Sequence, residues 1–404
     1  VVISLFDTEP TMDKAYGEIL RQAGISRGSG DCAITTGAEH RYSGNGAQLG
    51  RALCYRKDGN AFLVWTNDEE RTVADARRRD GNDVELYRFW ASLVGVPFTL
   101  TPDEQKLHDI AQETDCRRAP AGSLDRFPGV VAAVECEAGD SGANMVSFYR
   151  FADLDALQRS YRAQVRDAHA NAGACVDGEA PDFLGEESWN IRDVDLGRIL
   201  CYPRQRGELV MEWTVEPLLL LVRAVGTDPK ALSDWWKEDS GPSSDVIVQA
   251  VNAQARPPFP NPAEQELLEH IPVPSRVNCM RLSKERVSED VSGEPVAAVV
   301  CGTKNDGPDQ VRYYQFPDSA SMTASYGDEA SPGPDCNSEP PDFTGEAEYS
   351  RNGTVTGRLA CATNDAGFPY LVWTHDRLNI LALAFKDEDP APLLTWWHAE
   401  AGPV

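Results

Sequence analysis

Six histidines and ten cysteines are the residues of this 404-residue chain best suited to hold a metal or attack a carbonyl. The histidines, His40, His108, His169, His270, His375 and His398, lie beyond helical or strand reach of one another, and no Cys-x-x-Cys pair or Cys/His cluster has zinc spacing. His375 follows a Trp-Thr pair and could occupy an active-site corner. Two other Trp-Thr pairs carry Asn67 and Val215 at that place, so a repeated catalytic histidine is excluded and a solvent-facing turn is expected. Gly-x-Ser-x-Gly and His-Glu-x-x-His are absent, and "GSGDCA" and "GNGAQLG" match no phosphate-binding loop. The expectation is no catalytic residue, no metal and no cofactor.

The Trp-Thr pairs belong to an ordered set of landmarks that occurs three times. Phe6, Phe151 and Phe316 are each followed ten residues later by Tyr16, Tyr161 and Tyr326. A cysteine comes next (Cys32, Cys175, Cys336), and then Gly-Arg-x-x-Cys ending at Cys54, Cys201 and Cys361. After 11 or 12 residues stand Trp65-Thr66, Trp213-Thr214 and Trp373-Thr374, with Asp68, Glu216 and Asp376 three residues after each Trp. Trp90, Trp236 and Trp397, each five residues before a glycine, close the set. A fixed period of this size signals tandem modules.

The elements that must position these landmarks are strands and helices in alternation. Apolar stretches such as "NMVSFYRF", "GRILCY" and "ELVMEWT", bounded by Gly, Asp and Asn, read as strands. "DLDALQRSYRAQ" has the helical period behind Asp153, and "DPKALSDWWKE" starts with an Asp cap and a proline. The order helix, two strands, helix, three strands, helix predicts an α+β module, an antiparallel sheet with packed helices and up to two disulfides. Residues 1–99 form an incomplete first module, lacking the first helix and strand, 100–254 the second, and 255–404 the third, entered through the stiff "RPPFPNP". Pairing by order gives Cys32–Cys54, Cys116–Cys136, Cys175–Cys201, Cys279–Cys301 and Cys336–Cys361, although four cysteines in one module allow three connectivities. Such bridges persist in an oxidising compartment.

Two further motifs bear on binding. "PDFLGE" (Asp182, Phe183, Glu186) and "PDFTGE" (Asp342, Phe343, Glu346) fit a presented recognition tip, or equally a glycine turn anchored by a buried Phe. In the "WW" pairs, neighbours about 100° apart on a helix predict one ring in the core and one over a sheet edge or a neighbouring module. The formal charge of −26, from 64 acidic and 38 basic residues, disfavours nucleic acid and anionic lipid. No apolar run has the length of a membrane span; the longest, Leu218 to Val222, is strand-sized. No signal peptide is expected, since Val1 leads directly into strand-like "VISLF", so an export address would lie outside these residues. "NGT" at Asn352 fits a glycosylation sequon.

In Gly-Arg-x-x-Cys, "LVWT" with its acid, the apolar strand and the "WW" helix, the chain resembles the extracellular C-terminal regions of actinobacterial membrane-bound serine/threonine protein kinases and related cell-surface proteins. That resemblance implies an extracellular sensor or protein-interaction region without catalysis of its own, since kinase motifs are missing here. Its partner would be an unknown extracellular ligand or protein. The alternative is a secreted or cell-surface structural or adhesive protein that assembles through its modules. A third is a secreted enzyme, for which one module should depart from the others by an added acid, base or metal cluster; none is evident in the sequence.

Overall fold

The structure, a computed structural model, describes the chain except residues 45–46, 95–99, 120–123, 125, 139–141, 174, 176–182, 205–206, 305–306, 331–335, 337–342, 365–366, 387–390 and 402–404. The described residues are mixed α and β, with three antiparallel sheets. The first has the order β1 (Val2–Leu5), β5 (Thr72–Arg78), β4 (Asn60–Asn67), β3 (Ala47–Lys57), β2 (Ala38–Gly44). The second runs β6 (Thr114–Arg118), β7 (Val130–Glu137), β8 (Met145–Phe151), β12 (Leu220–Gly226), β11 (Leu209–Val215), β10 (Val194–Pro203), β9 (Gly185–Ile191). The third repeats that order with β13 (Val277–Arg281), β14 (Ala297–Gly302), β15 (Gln310–Gln315), β19 (Ile380–Phe385), β18 (Pro369–His375), β17 (Thr354–Thr363) and β16 (Gly345–Arg351). We call each sheet with its helices a module. In the first sheet β1 holds the place of β8 and β15 and is an edge.

The five strands read from the sequence for a full module become seven. The additional pairs, β6 and β9 or β13 and β16, are the sheet edges. "GEESWNI" and "GEAEYSR" are mostly polar, with Trp189 and Ile191 the large apolar residues of the first and Tyr349 that of the second, so they lack the strand signal of the central runs.

Helices cover both faces of each sheet, which is why central strands such as "LLVRAVG" are buried almost throughout. On one face of the first sheet, Met12, Tyr16 and Leu20 of α1 (Glu9–Ala23) pack on Leu53, Val64 and Val73. On the other, Leu86, Tyr87 and Trp90 of α2 (Asp83–Val94) pack on Leu63 and Trp65. In the second module α3 (Pro102–Ala111) starts with a Thr101/Glu104 capping box, and α4 (Leu154–Ala168) is capped by Asp153, whose carboxylate accepts the Ala156 N–H. Leu157 and Tyr161 of α4 sit on Leu200, Val210 and Leu221, while α5 (Pro229–Glu238) covers the opposite face.

By packing, the chain divides into two compact units: Val1–Glu187 with Arg198–Pro242, and Ser188–Gly197 with Ser243–Val404. The second unit contains α6 (Ser244–Gln254), which the sequence places at the end of module two. Val248 of α6 packs with Met280, Val300 and Tyr314, and Ile191 and Val194 of the β9–β10 hairpin tip lie against the same cluster. It also contains α7 (Pro262–Glu269), α8 (Lys284–Asp290), α9 (Ser319–Glu329) and α10 (Ala391–Glu400).

Five disulfides, Cys32–Cys54, Cys116–Cys136, Cys175–Cys201, Cys279–Cys301 and Cys336–Cys361, use all ten cysteines. They close loops of 20 to 26 residues, each worth about 3 kcal/mol by chain entropy. Among the described residues no helix is long and apolar enough to cross a membrane.

Candidate functional site

The repeated landmarks form joints between strands. The Arg51, Arg198 and Arg358 backbone N–H groups donate to the hydroxyls of Thr66 (2.9 Å), Thr214 (2.9 Å) and Thr374 (3.0 Å). Thr66 and Thr374 in turn donate to Asp68 (2.9 Å) and Asp376 (2.8 Å). A Cβ on Gly50 would sit 2.1 Å from the Thr66 carbonyl oxygen, and one on Gly357 2.1 Å from that of Thr374, so Gly-Arg-x-x-Cys and Trp-Thr-x-acid are two halves of one contact. In module two the longer Glu216 reaches α4, accepting a hydrogen bond from Gln158 Nε2 (3.2 Å). His375 ends β18 half-buried, not in an open turn; its Nδ1 is buried without a hydrogen bond and burial lowers its pKa.

Both rings of each "WW" pair flank the corner tryptophan, contrary to the expected split between core and edge. Trp235 and Trp236 lie edge-on to Trp213 at 6.2 and 6.3 Å, and Trp396 and Trp397 to Trp373 at 6.2 and 6.4 Å. Two side chains about 100° apart can straddle a ring that projects from the sheet beneath the helix axis.

The described parts of "PDFLGE" and "PDFTGE" begin at Phe183 and Phe343. Phe183 and Phe343 are buried, and Asp182 and Asp342 lie outside the described residues. Glu186 binds both Arg198 Nε and Nη2 and accepts the Tyr161 phenol (3.3 Å). Glu346 pairs with Arg358 (2.6 Å) beside Tyr326, whose phenol pKa is raised by burial and by Glu346. In module one Glu39 plays this part, paired with Arg51 (Nη2 to Oε2, 2.8 Å) and Tyr16 (3.4 Å). In modules one and two a Tyr–Glu–Arg tether thus joins the helix that carries the tyrosine to the edge strand. The sequence hides Glu39 because its neighbours lack the Pro-Asp-Phe context, but Ala38 opposite Cys54 matches Gly345 opposite Cys361 in register.

Module two departs from its sisters at the centre of its sheet. Glu212 on β11 stands between Leu200 and Arg223, where module one has Val64 between Leu53 and Asp75, and module three has Val372 between Ala360 and Leu383. Glu212 is 0 % exposed. Its Oε1 accepts from Tyr202 (2.8 Å) and Arg223 Nε (2.9 Å), with Arg126 Nη2 at 3.8 Å. Glu212 Oε2 and Arg223 Nη2 are buried and make no hydrogen bond. Burial, then Glu212, raises the Tyr202 phenol pKa. Arg126 also donates to Gln164 of α4 (Nε to Oε1, 3.0 Å). Above this network opens a cavity of about 650 Å³ lined by Arg126, Gln164, Asp167, Tyr202, Arg204 and Glu208. The Glu212–Arg223 pair escapes the sequence because "VMEWT" reads as an ordinary strand with one polar residue, and only the register shows that Glu212 faces Arg223 inside the core.

The cleft offers paired donors and acceptors at a partly desolvated floor, suited to hold a polar ligand. Among the described residues no group of three His, Cys, Asp or Glu side chains could hold a metal ion. Comparison of the chain with protein-family models, curated proteins and solved structures gives no match.

Proposed function

We propose that the chain is an exported, non-catalytic ligand-binding protein whose second module carries the binding site, with the sensor region of a membrane-anchored receptor kinase as the setting that the resemblance favours. One observation carries the reading: a buried Glu212–Arg223 pair, with an unsatisfied atom on each side chain, lies next to Tyr202 and Arg126, which line a polar cleft. A buried ion pair is seldom more stable than the apolar pair of similar volume, and module three uses Val372 and Leu383 at this place. Stability alone therefore does not account for the charges, whereas a role in holding Tyr202 and Arg126, which line the cleft and can meet a ligand, does. Five disulfides support an extracellular setting. A thermal-shift screen of amino acids, sugars, small organic acids and nucleosides tests the reading; a raised melting temperature with one class supports it, and none with any class defeats it. Assembly through modules is the second reading, favoured by exposed Val2, Ile3 and Leu5 on the edge strand β1. Light scattering that shows only monomer at high concentration rules it out.

A further inference from the structure

On the same helix, but apart from the cleft over Glu212, a second groove of about 420 Å³ is lined by Tyr161, Arg162 and Arg166 of α4, Arg198 of β10, and Glu186 and Glu216. Three arginines thus line one groove in a chain of formal charge −26. Glu186 is neutralised by Arg198, whose side chain nevertheless stays 47 % exposed, and Glu216 accepts a hydrogen bond from Gln158. Arg162 makes one 3.3 Å bond to the neutral Gln158, and among the described residues neither it nor Arg166 has an acidic partner.

The sister modules lack these charges or cancel them. One residue after the helix tyrosine, where module two has Arg162, stand Gly17 and Gly327. Five residues after it, module one has Arg21, but Glu18 pairs with that arginine at 3.1 Å, and module two carries Ala163 at the place of Glu18. The two guanidinium forks without an acidic partner are thus features of module two alone among the places compared, and both line the groove that also holds the Tyr161–Glu186–Arg198 tether.

We propose that this groove is an anion site, taking the phosphate or dicarboxylate group of a larger ligand between Arg162, Arg166 and Arg198. Forked donors match the paired oxygens of both groups. The surrounding negative field selects against diffuse polyanions and leaves a compact anion as the fitting occupant.

Calorimetric titration of the full chain at low ionic strength, with inorganic pyrophosphate in one arm and citrate in the other, tests the proposal. Saturable binding is expected in at least one arm, and the tighter arm identifies phosphate or carboxylate as the source. Arg162→Gln/Arg166→Gln, which keeps helix propensity, should weaken it at least tenfold, as should the charge reversal Arg162→Glu. Arg159→Gln removes an exposed charge from the same helix outside the groove and should change affinity less than twofold. Circular dichroism confirms that each variant is folded. No saturable binding in either arm, or undiminished affinity in the folded glutamine double variant, overturns the proposal.

Discussion

Replacing Glu212 by Val and Arg223 by Leu, singly and together, separates the roles of the buried pair. Glu212→Val leaves Arg223, 8 % exposed, with its Nε partner gone, and Arg223→Leu removes one of the two direct donors to a carboxylate with no access to water. Stranding one member of a buried pair costs about 3–5 kcal/mol, whereas exchanging both for apolar residues ranges from neutral to about 4 kcal/mol stabilising. At roughly 2–4 °C per kcal/mol for a domain of 150–250 residues, each single variant should lower the transition of module two by about 6–20 °C. The double variant should melt at or above the wild type, since it recreates the Val372–Leu383 pair of module three. Thermal unfolding followed by near-ultraviolet circular dichroism, which reports the packing of the aromatic rings, Trp213 and its two flanking rings among them, is the assay. Single variants within about 1 kcal/mol of wild type, or a double variant as unstable as the sum of the singles, would refute the argument that the pair is retained for something other than stability.

Further outcomes follow from the joints and tethers. Gly50→Ala and Gly357→Ala should each cost at least about 1–3 kcal/mol in chemical denaturation, because the new methyl meets a carbonyl oxygen held by the Trp-Thr strand; a neutral effect would show that the close approach is not fixed. Burial alone would raise the Glu39 carboxyl, but Arg51 and the Gly28 N–H hold it below its ordinary value of 4.5. Its contribution is therefore present above about pH 4.5 and lost as the pH falls through the lower folded-state value, so an acid titration of stability should flatten at that end in Glu39→Gln. Thiol titration of the unreduced, unfolded protein should find no free cysteine, and Cys175→Ala/Cys201→Ala should lose about 3 kcal/mol.

The repeat and its bridges were legible because they are written in residue types with few substitutes. Gly50, Trp65 and the paired Cys54 each answer a local demand of close approach, volume or cross-linking, so order and spacing expose them. Edge strands were not legible, since β9 and β16 are defined by hydrogen bonding to β10 and β17 more than by burial. The tethers were half visible: Glu186 and Glu346 stood out, but their arginines lie 12 residues away and their meaning came only with register. Glu212 and Arg223 were invisible as a pair, because 11 residues and a hairpin separate them, and a polar residue within an apolar strand reads as the solvent face until helices are seen on both sides. The α6 boundary escaped for a related reason, as a helix that ends one module in sequence packs on the next sheet through Val248.

The most direct test of ligand binding in module two is calorimetric titration of the compound class found by thermal shift into wild-type protein and into Glu212→Val/Arg223→Leu. Saturable binding to the wild type, and at least a tenfold loss in a double variant that melts no lower, is the predicted result. Equal affinity in the two proteins would contradict it and place the site elsewhere.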